Sequence, residues 1–193
     1  MLGLKMPTDP RWVNIVETNI QEILSDHAWC EQKAASNAIS IIVKNPHLPD
    51  LVTELTTIAR EEMEHFEMVH EKIKARGLSL GYERKDEYVR DLAGYIKKGG
   101  TPTDNLVGNL LFSAMIEARS CERFRILSEE ISDPDLKVFY RELMESEANH
   151  YTVFLGLARK YGGREKVDAR WADFLAFEAE LIGKYGKKET MHG

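Results

Sequence analysis

Arg60-Glu61-Glu62-Met63-Glu64-His65 is the stretch on which the reading of this chain turns. Glu62 and His65 are three residues apart, and on a helix that spacing puts a carboxylate and an imidazole on one face, close enough to hold a common metal ion. The spacing returns in Glu147-Ala148-Asn149-His150. Working outward, Glu31 lies 31 residues ahead of Glu62, and Glu117 lies 30 ahead of Glu147. A glutamate followed by Glu-x-x-His, twice over, is a ligand set that holds two metal ions between four helices.

The surrounding sequence supplies those helices. Thr8-Asp9-Pro10 combines a capping side chain with a proline suited to a first turn. No proline or glycine follows until Lys44, and Val13, Val16, Ile20, Ile23, His27, Glu31, Ala34, Ala38 and Ile41 form one stripe, so one long first helix is expected. Asn45-Pro46-His47-Leu48-Pro49 ends it, because proline cannot continue the hydrogen-bond ladder. A second helix, about Asp50 to Arg76, turns Leu51, Leu55, Ile58, Glu62, His65, Val69 and Ile73 inward and stops at Gly77.

Residues 77–103 break the rhythm around one short amphipathic segment, about Asp86 to Lys97. A third helix, capped by Thr103 or Asp104, is expected to reach Ile131 with Leu106, Leu110, Ala114, Glu117, Cys121 and Phe124 on one side. Asp133-Pro134 then opens a fourth, ending near Tyr161, whose stripe is Leu136, Phe139, Leu143, Glu147, His150, Phe154 and Leu157. A last helix, about Lys166 to Lys184, presents Trp171, Leu175, Glu178 and Ile182 and is expected on the outside, followed by a frayed tail from Gly186. No strand pattern occurs. The expectation is a single all-α domain over 1–193: a ferritin-like four-helix bundle with a long crossover between helices 2 and 3 and an extra C-terminal helix.

Glu-x-x-His alone says little, since the chain holds two further copies, Glu67 to His70 and Glu189 to His192. Two criteria separate them. Glu62 and His65 interrupt an apolar stripe, whereas Glu67 and His70 share a side with Arg60, Met63 and Lys74, which reads as solvated; His192 falls in the tail. The second criterion is height. In an antiparallel hairpin, residues equally far from the turn stand opposite one another. Glu31 and Glu62 are centred on the Asn45–Pro49 break, and Glu117 and Glu147 on Ser132-Asp133. Each turn brings its own pair level, which an incidental charge pattern would rarely do in both halves.

Four carboxylates and two imidazoles inside a bundle would be strongly unfavourable without partners. Two divalent cations balance four negative charges, and oxygen-rich ligation with one imidazole per ion suits iron or manganese, iron before manganese, better than structural zinc. The metal ligands are therefore expected to be Glu31, Glu62, His65, Glu117, Glu147 and His150, with Glu62 or Glu147, or both, bridging. His27, one turn before Glu31, is a candidate to back that carboxylate, against a role as a satisfied core histidine. Glu122 is a candidate supporting group, or a ligand if the register shifts. Phe124, Phe139 and Phe154 read as plain core rather than a substrate cavity, and Glu61, Glu64 and Glu67 as solvent-facing.

The composition, 43% hydrophobic and 30% charged, is that of a globular domain with no apolar run of membrane-spanning length, and the N-terminus lacks a basic region followed by an apolar run. A cytoplasmic location is expected. Cys30 and Cys121 have neither zinc nor redox spacing and read as buried small apolar residues. The net charge of -6 discriminates little, because setting aside four ligand glutamates leaves 28 acidic against 26 basic residues.

A pair of redox-active ions in such a cage can reduce dioxygen and attack an unactivated carbon-hydrogen bond, but the ligands alone do not choose among hydroxylase, ferroxidase, peroxidase, catalase and desaturase. Four segments narrow the choice: Asp26-His27-Ala28-Trp29-Cys30-Glu31-Gln32-Lys33-Ala34-Ala35, Arg60-Glu61-Glu62-Met63-Glu64-His65-Phe66, Glu117-Ala118-Arg119-Ser120-Cys121-Glu122-Arg123-Phe124 and Glu147-Ala148-Asn149-His150-Tyr151. They resemble the bacterial tRNA hydroxylases that act on 2-methylthio-isopentenyladenosine next to the anticodon. The resemblance covers nearly the whole chain and is most specific around Cys121.

That resemblance implies a non-haem di-iron monooxygenase that inserts an atom of O2 into the isopentenyl group, with the six residues above as iron ligands. It also implies an external electron donor, a reductase or ferredoxin, since the chain has no flavin or iron-sulfur motif. The alternatives are a rubrerythrin-like peroxidase, disfavoured by the missing Cys-x-x-Cys pairs, a ferritin-like iron store, and a metal-free structural bundle. A monomer or dimer with no membrane association is expected. Candidate tRNA-binding groups are Arg84, Lys85, Lys97, Lys98, Arg159, Lys160, Arg164 and Lys166, several beside Tyr82, Tyr95 or Tyr161, against the plainer reading of a solvated rim.

Overall fold

The structure is a computed structural model that describes residues 2–96, 99–185 and 190–192. Among these the chain is all-helical: α1 (Trp12–Thr18), α2 (Ile20–Lys44), α3 (Pro49–Ala75), α4 (Glu87–Ala93), α5 (Pro102–Glu130), α6 (Pro134–Gly162) and α7 (Arg164–Ile182). No helix of the described residues is long and apolar enough to cross a membrane. The chain packs as two compact units. One comprises Thr18–Lys85 with Glu189–Met191, and the other Met1–Glu17, Asp86–Lys188 and His192–Gly193.

The first unit is the α2–α3 hairpin. Asn45 closes α2 by donating its side-chain amide to the Ile41 carbonyl (2.9 Å), and Pro49 occupies the first turn of α3, where its missing N–H costs nothing. At the far end Gly77 adopts φ +67°, its amide meets the Lys74 carbonyl and the Leu78 amide meets that of Ile73. That double closure of a left-handed glycine stops α3 sharply. Leu51, Leu55, Ile58, Val69 and Ile73 are buried along α3 with Glu62 and His65 among them.

The second unit is organised on α5. A reciprocal cap between Thr101 and Asp104 with Pro102 at the first position starts it, and Asp133 caps α6 by accepting from the Asp135 and Leu136 amides. Because α4, α6 and α7 all pack on it, α5 is buried on nearly every side between Leu106 and Ser128. Its charged residues are therefore paired internally. Arg119 donates to Glu178 of α7 (2.6 Å) and to Glu122 (3.0 Å), Glu178 accepts from the Tyr88 hydroxyl (3.0 Å), and Glu122 accepts from the amide (3.0 Å) and hydroxyl (2.5 Å) of Thr8. Burial and the neighbouring Glu178 push the Tyr88 hydroxyl well above its ordinary value, so it stays a donor. Arg123 lies 4.4 Å over the Trp12 ring, and burial, aided by Arg119, lowers its guanidinium to about 10.

Several expectations change. The first helix is two, because Asn19 leaves helical geometry (φ -133°, ψ 43°) where the poor helix formers Thr18 and Asn19 adjoin. The third helix starts at Pro102, since Thr101 rather than Thr103 or Asp104 is the cap. The crossover segment is helical only over Glu87–Ala93, capped by Asp86; Lys97 and Lys98 lie outside the described residues. The last helix begins at Arg164 and ends at Ile182, and the face expected from Trp171, Leu175, Glu178 and Ile182 is buried, Glu178 fully so. Of the tail, Gly186–Glu189 and Gly193 lie outside the described residues, but Met191 and His192 are buried and not frayed. The Met191 amide donates to Asp26 (2.7 Å), while His192 Nε2 pairs with the Ser120 hydroxyl (2.9 Å). Cys121 is buried as expected, but Cys30 is only half-buried.

Removing one partner of a buried ion pair strands the other charge in low dielectric, at a cost of about 3–5 kcal/mol. Glu178→Ala should lower stability to urea by that order. A change below about 1 kcal/mol would show that water or a rearranged partner satisfies Arg119.

Candidate metal centre

Within the α2–α3 unit, Glu31, Glu62 and His65 are buried and their donor atoms lie within 4.8 Å of one another. His65 Nδ1 stands 3.6 Å from Glu31 Oε2 and 3.7 Å from Glu62 Oε2. The Asn45–Pro49 turn brings Glu31 level with Glu62, and the three-residue helical spacing adds His65. His27, fully buried, holds Glu31 by a 2.6 Å hydrogen bond from Nε2 to Oε1. One oxygen of Glu31 is thereby engaged and the other turned toward His65, which is how an outer partner orients a metal-binding carboxylate.

Within the second unit, Glu117 of α5 and Glu147 and His150 of α6 repeat the arrangement, again buried and with donor atoms within 4.8 Å of one another. His150 Nδ1 is 3.7 Å from Glu147 Oε2. One turn after Glu117, the Cys121 thiol donates to the Met144 carbonyl (3.4 Å). Burial, reinforced by the charge of Glu147, pushes that thiol up to about 12, so it remains protonated and is not a thiolate donor.

The imidazole and carboxylate donors measured in each triad stand at separations that one divalent ion could span. Donors about 2.1 Å from a common first-row ion stand about 3.0 Å apart at a right angle and about 3.6 Å apart at 120°. The observed separations of 3.6 and 3.7 Å fall at the wider angle. Two carboxylates carry the charge that one divalent cation neutralises, and the neutral imidazole completes a hard, oxygen-rich set suited to iron or manganese.

The remaining candidates divide. Glu122 is turned to Thr8 and Arg119 in the ion-pair network described above. Phe124 and Phe139 both pack on Tyr140, with centroids 5.4 and 5.3 Å away, as ordinary core. Glu64 and Glu67 are exposed, and Glu61 is half-buried. Of the basic groups, Arg159 is paired with Asp168 (2.7 Å) and Lys166 with Asp104 (2.9 Å), whose carboxyl that hydrogen bond holds down to about 2. Lys160 lies over the Tyr161 ring, 5.8 Å from its centroid, and Arg164 is exposed. Tyr95 is stacked on Phe174 at 4.2 Å, so one of its faces is covered. Sequence reasoning missed the roles of Arg119, Arg123 and Glu178; the available signal was charge on every side of a helix too apolar to be solvated.

His27→Ala should weaken ferrous or cobaltous ion binding by about 10- to 100-fold in chelator competition, the usual cost of removing an outer partner. In the native protein, iodoacetamide at mildly alkaline pH should label Cys30 and spare Cys121, as intact-mass spectrometry would read; labelling of Cys121 would contradict its burial.

Comparison with known proteins identifies the family. The sequence matches the family described as tRNA-(MS[2]IO[6]A)-hydroxylase (MiaE) over residues 2–193. It is 40% identical over 191 residues to the tRNA 2-(methylsulfanyl)-N(6)-isopentenyladenosine(37) hydroxylase of Pseudomonas putida, covering 98% of this chain and 91% of the relative. The enzyme of the same description from Salmonella typhimurium is 27% identical over 228 aligned positions, covering 93% of this chain and 83% of that one. Among solved structures, Protein 43 with aldehyde deformylating oxygenase activity from Synechococcus superposes with a TM-score of 0.91 at 35% identity, covering 98% of this chain and 95% of its own. The fold is thus the all-α, ferritin-like helical bundle expected. With a match running from residue 2 to the end and two buried Glu/Glu/His triads in place, the chain belongs to the tRNA-(MS[2]IO[6]A)-hydroxylase (MiaE) family.

Proposed function

We propose that this protein hydroxylates the isopentenyl group of 2-methylthio-N6-isopentenyladenosine beside the anticodon of tRNA, acting as a single domain in which Glu31, Glu62, His65, Glu117, Glu147 and His150 hold two iron ions. The observation that carries the reading is the pair of buried triads, alike in composition and spacing, in a chain of this family. Held there, an iron pair would supply the electrons that reduce dioxygen, so that one oxygen atom would enter a carbon-hydrogen bond of the substrate and the other would leave as water. The balance requires two electrons and two protons besides O2. A separate reductase or ferredoxin provides the electrons, and the reaction takes place in the cytoplasm, where tRNA is.

The chain's own contribution is electrostatic and positional. Two carboxylates per triad match the charge of each ion, and His27 holds Glu31 so that one oxygen stays directed at the triad. Cys121, kept as a thiol, offers no competing nucleophile beside Glu147. Ligands on long helices are held more rigidly than ligands on loops, which keeps the donor set in place while the oxidation state of the metal changes.

The test is nucleoside mass spectrometry on tRNA from cells lacking this protein, paired with reconstitution of the iron-loaded protein, a chemical reductant, O2 and that tRNA. Disappearance of the hydroxylated nucleoside in the first arm and a gain of one oxygen atom in the second are expected. Unchanged tRNA together with deformylation of an aldehyde would instead assign the chain the chemistry of its solved relative.

A further inference from the structure

The segment after α3 presents an aromatic ring in an unusual way. Tyr82 is 97% exposed, yet the backbone on both sides of it is tied to α2. The Gly81 amide donates to the Ser25 hydroxyl (2.9 Å) and its carbonyl accepts from Trp29 Nε1 (2.8 Å). Lys33 donates to the Arg84 carbonyl (3.3 Å) and sits 3.0 Å from Glu83, and the Arg84 guanidinium donates to the Glu22 carbonyl (3.3 Å). A side chain at residue 81 would come within 3.3 Å of the Ser25 hydroxyl, so glycine there lets the segment lie close to the helix. Leaving a large apolar ring in water on a flexible tip is common; fixing it there forfeits burial and chain entropy together, which a partner can recover.

Tyr82 does not stand alone. Trp29 lies 6.0 Å from Phe66, and Phe66 stacks with His70 at 6.3 Å and 20°, all three half-buried. The α2–α3 unit thus carries a line of three rings joined to the Tyr82 segment through the Trp29–Gly81 hydrogen bond, with Arg84 and Lys85 close to Tyr82 in sequence and Lys33 paired with Glu83. Trp29 and Lys33 bracket Glu31 in sequence but face the other side of α2, about a helix diameter, roughly 10 Å, away. Rings interleaved with cations are the surface that unpaired bases and their phosphates recognise.

We propose that Tyr82, next to the Gly81 that Trp29 holds, is a stacking platform for an unpaired base of the anticodon loop that flanks the substrate nucleoside, a reading that rests on the function proposed above. The phenolic oxygen is not required; the ring face is. Tyr82 is a positioning residue, so it acts on tRNA affinity and not on the chemical step.

The test uses the iron-loaded full chain and a labelled anticodon stem-loop RNA, with a fully paired RNA of equal charge as control. Tyr82→Ala should weaken stem-loop binding roughly 5- to 100-fold, the range seen when one base-stacking ring is removed, and raise KM while kcat at saturating tRNA holds. Tyr82→Phe should bind within about twofold of the parent, and the paired control should respond to neither change. Equal binding of the Ala and parent proteins overturns the platform, as does an effect confined to the KM for a protein electron donor, which would make the surface a donor dock. A parent protein that turns over tRNA while Tyr82→Ala binds normally defeats this proposal alone; one that never acts on tRNA defeats the functional reading with it.

Discussion

Charge burial governs this molecule. In each unit two carboxylates and an imidazole are taken out of water among the buried side chains of long helices. A carboxylate in such surroundings is strongly unfavourable unless a cation neutralises it. The arrangement is therefore one that a divalent ion stabilises, and the helix lengths, the level turns and the His27 support can all be understood as keeping the donors in register for it.

The second unit solves the same problem twice in different ways. Glu117, Glu147 and His150 form a set suited to a metal, whereas Glu122 and Glu178 share the Arg119 guanidinium, with Tyr88 and Thr8 filling further hydrogen-bonding positions. Glu117 and Glu122 are five residues apart on one helix. About 100° per residue separates their faces by roughly 140°, enough to direct one carboxylate at the triad and the other at the guanidinium. A long helix buried on all sides can serve both clusters because α4, α6 and α7 cover it from different directions.

The Glu67–His70 copy shows why spacing is only a beginning. It has the same separation as Glu62–His65 and sits one turn later on the same helix, yet Glu67 is exposed and His70 stacks on Phe66 at the surface. Its use lies in ring contacts and not in ligation. The apolar neighbours on α3, visible in the one-dimensional pattern, already separated the two copies.

What the sequence alone determined were the features with short-range causes: the helices, from their apolar period; most of their ends, from proline, glycine and capping residues; and each glutamate brought level with its Glu-x-x-His, because equal distance from a turn means equal height along a hairpin. The break at Asn19 escaped it, since Thr18-Asn19 only weakens a helix and packing chooses whether it bends there. So did the partners of Glu178, the burial of His192 and the anchoring of the segment around Tyr82. Those depend on partners 59 to 90 residues away for Glu178 and 72 for His192, and on hydrogen bonds 51 to 62 residues distant for the Tyr82 segment. Local propensity carries no information about contacts at that range; only the tertiary fold decides which charge meets which, and which ring is left in water.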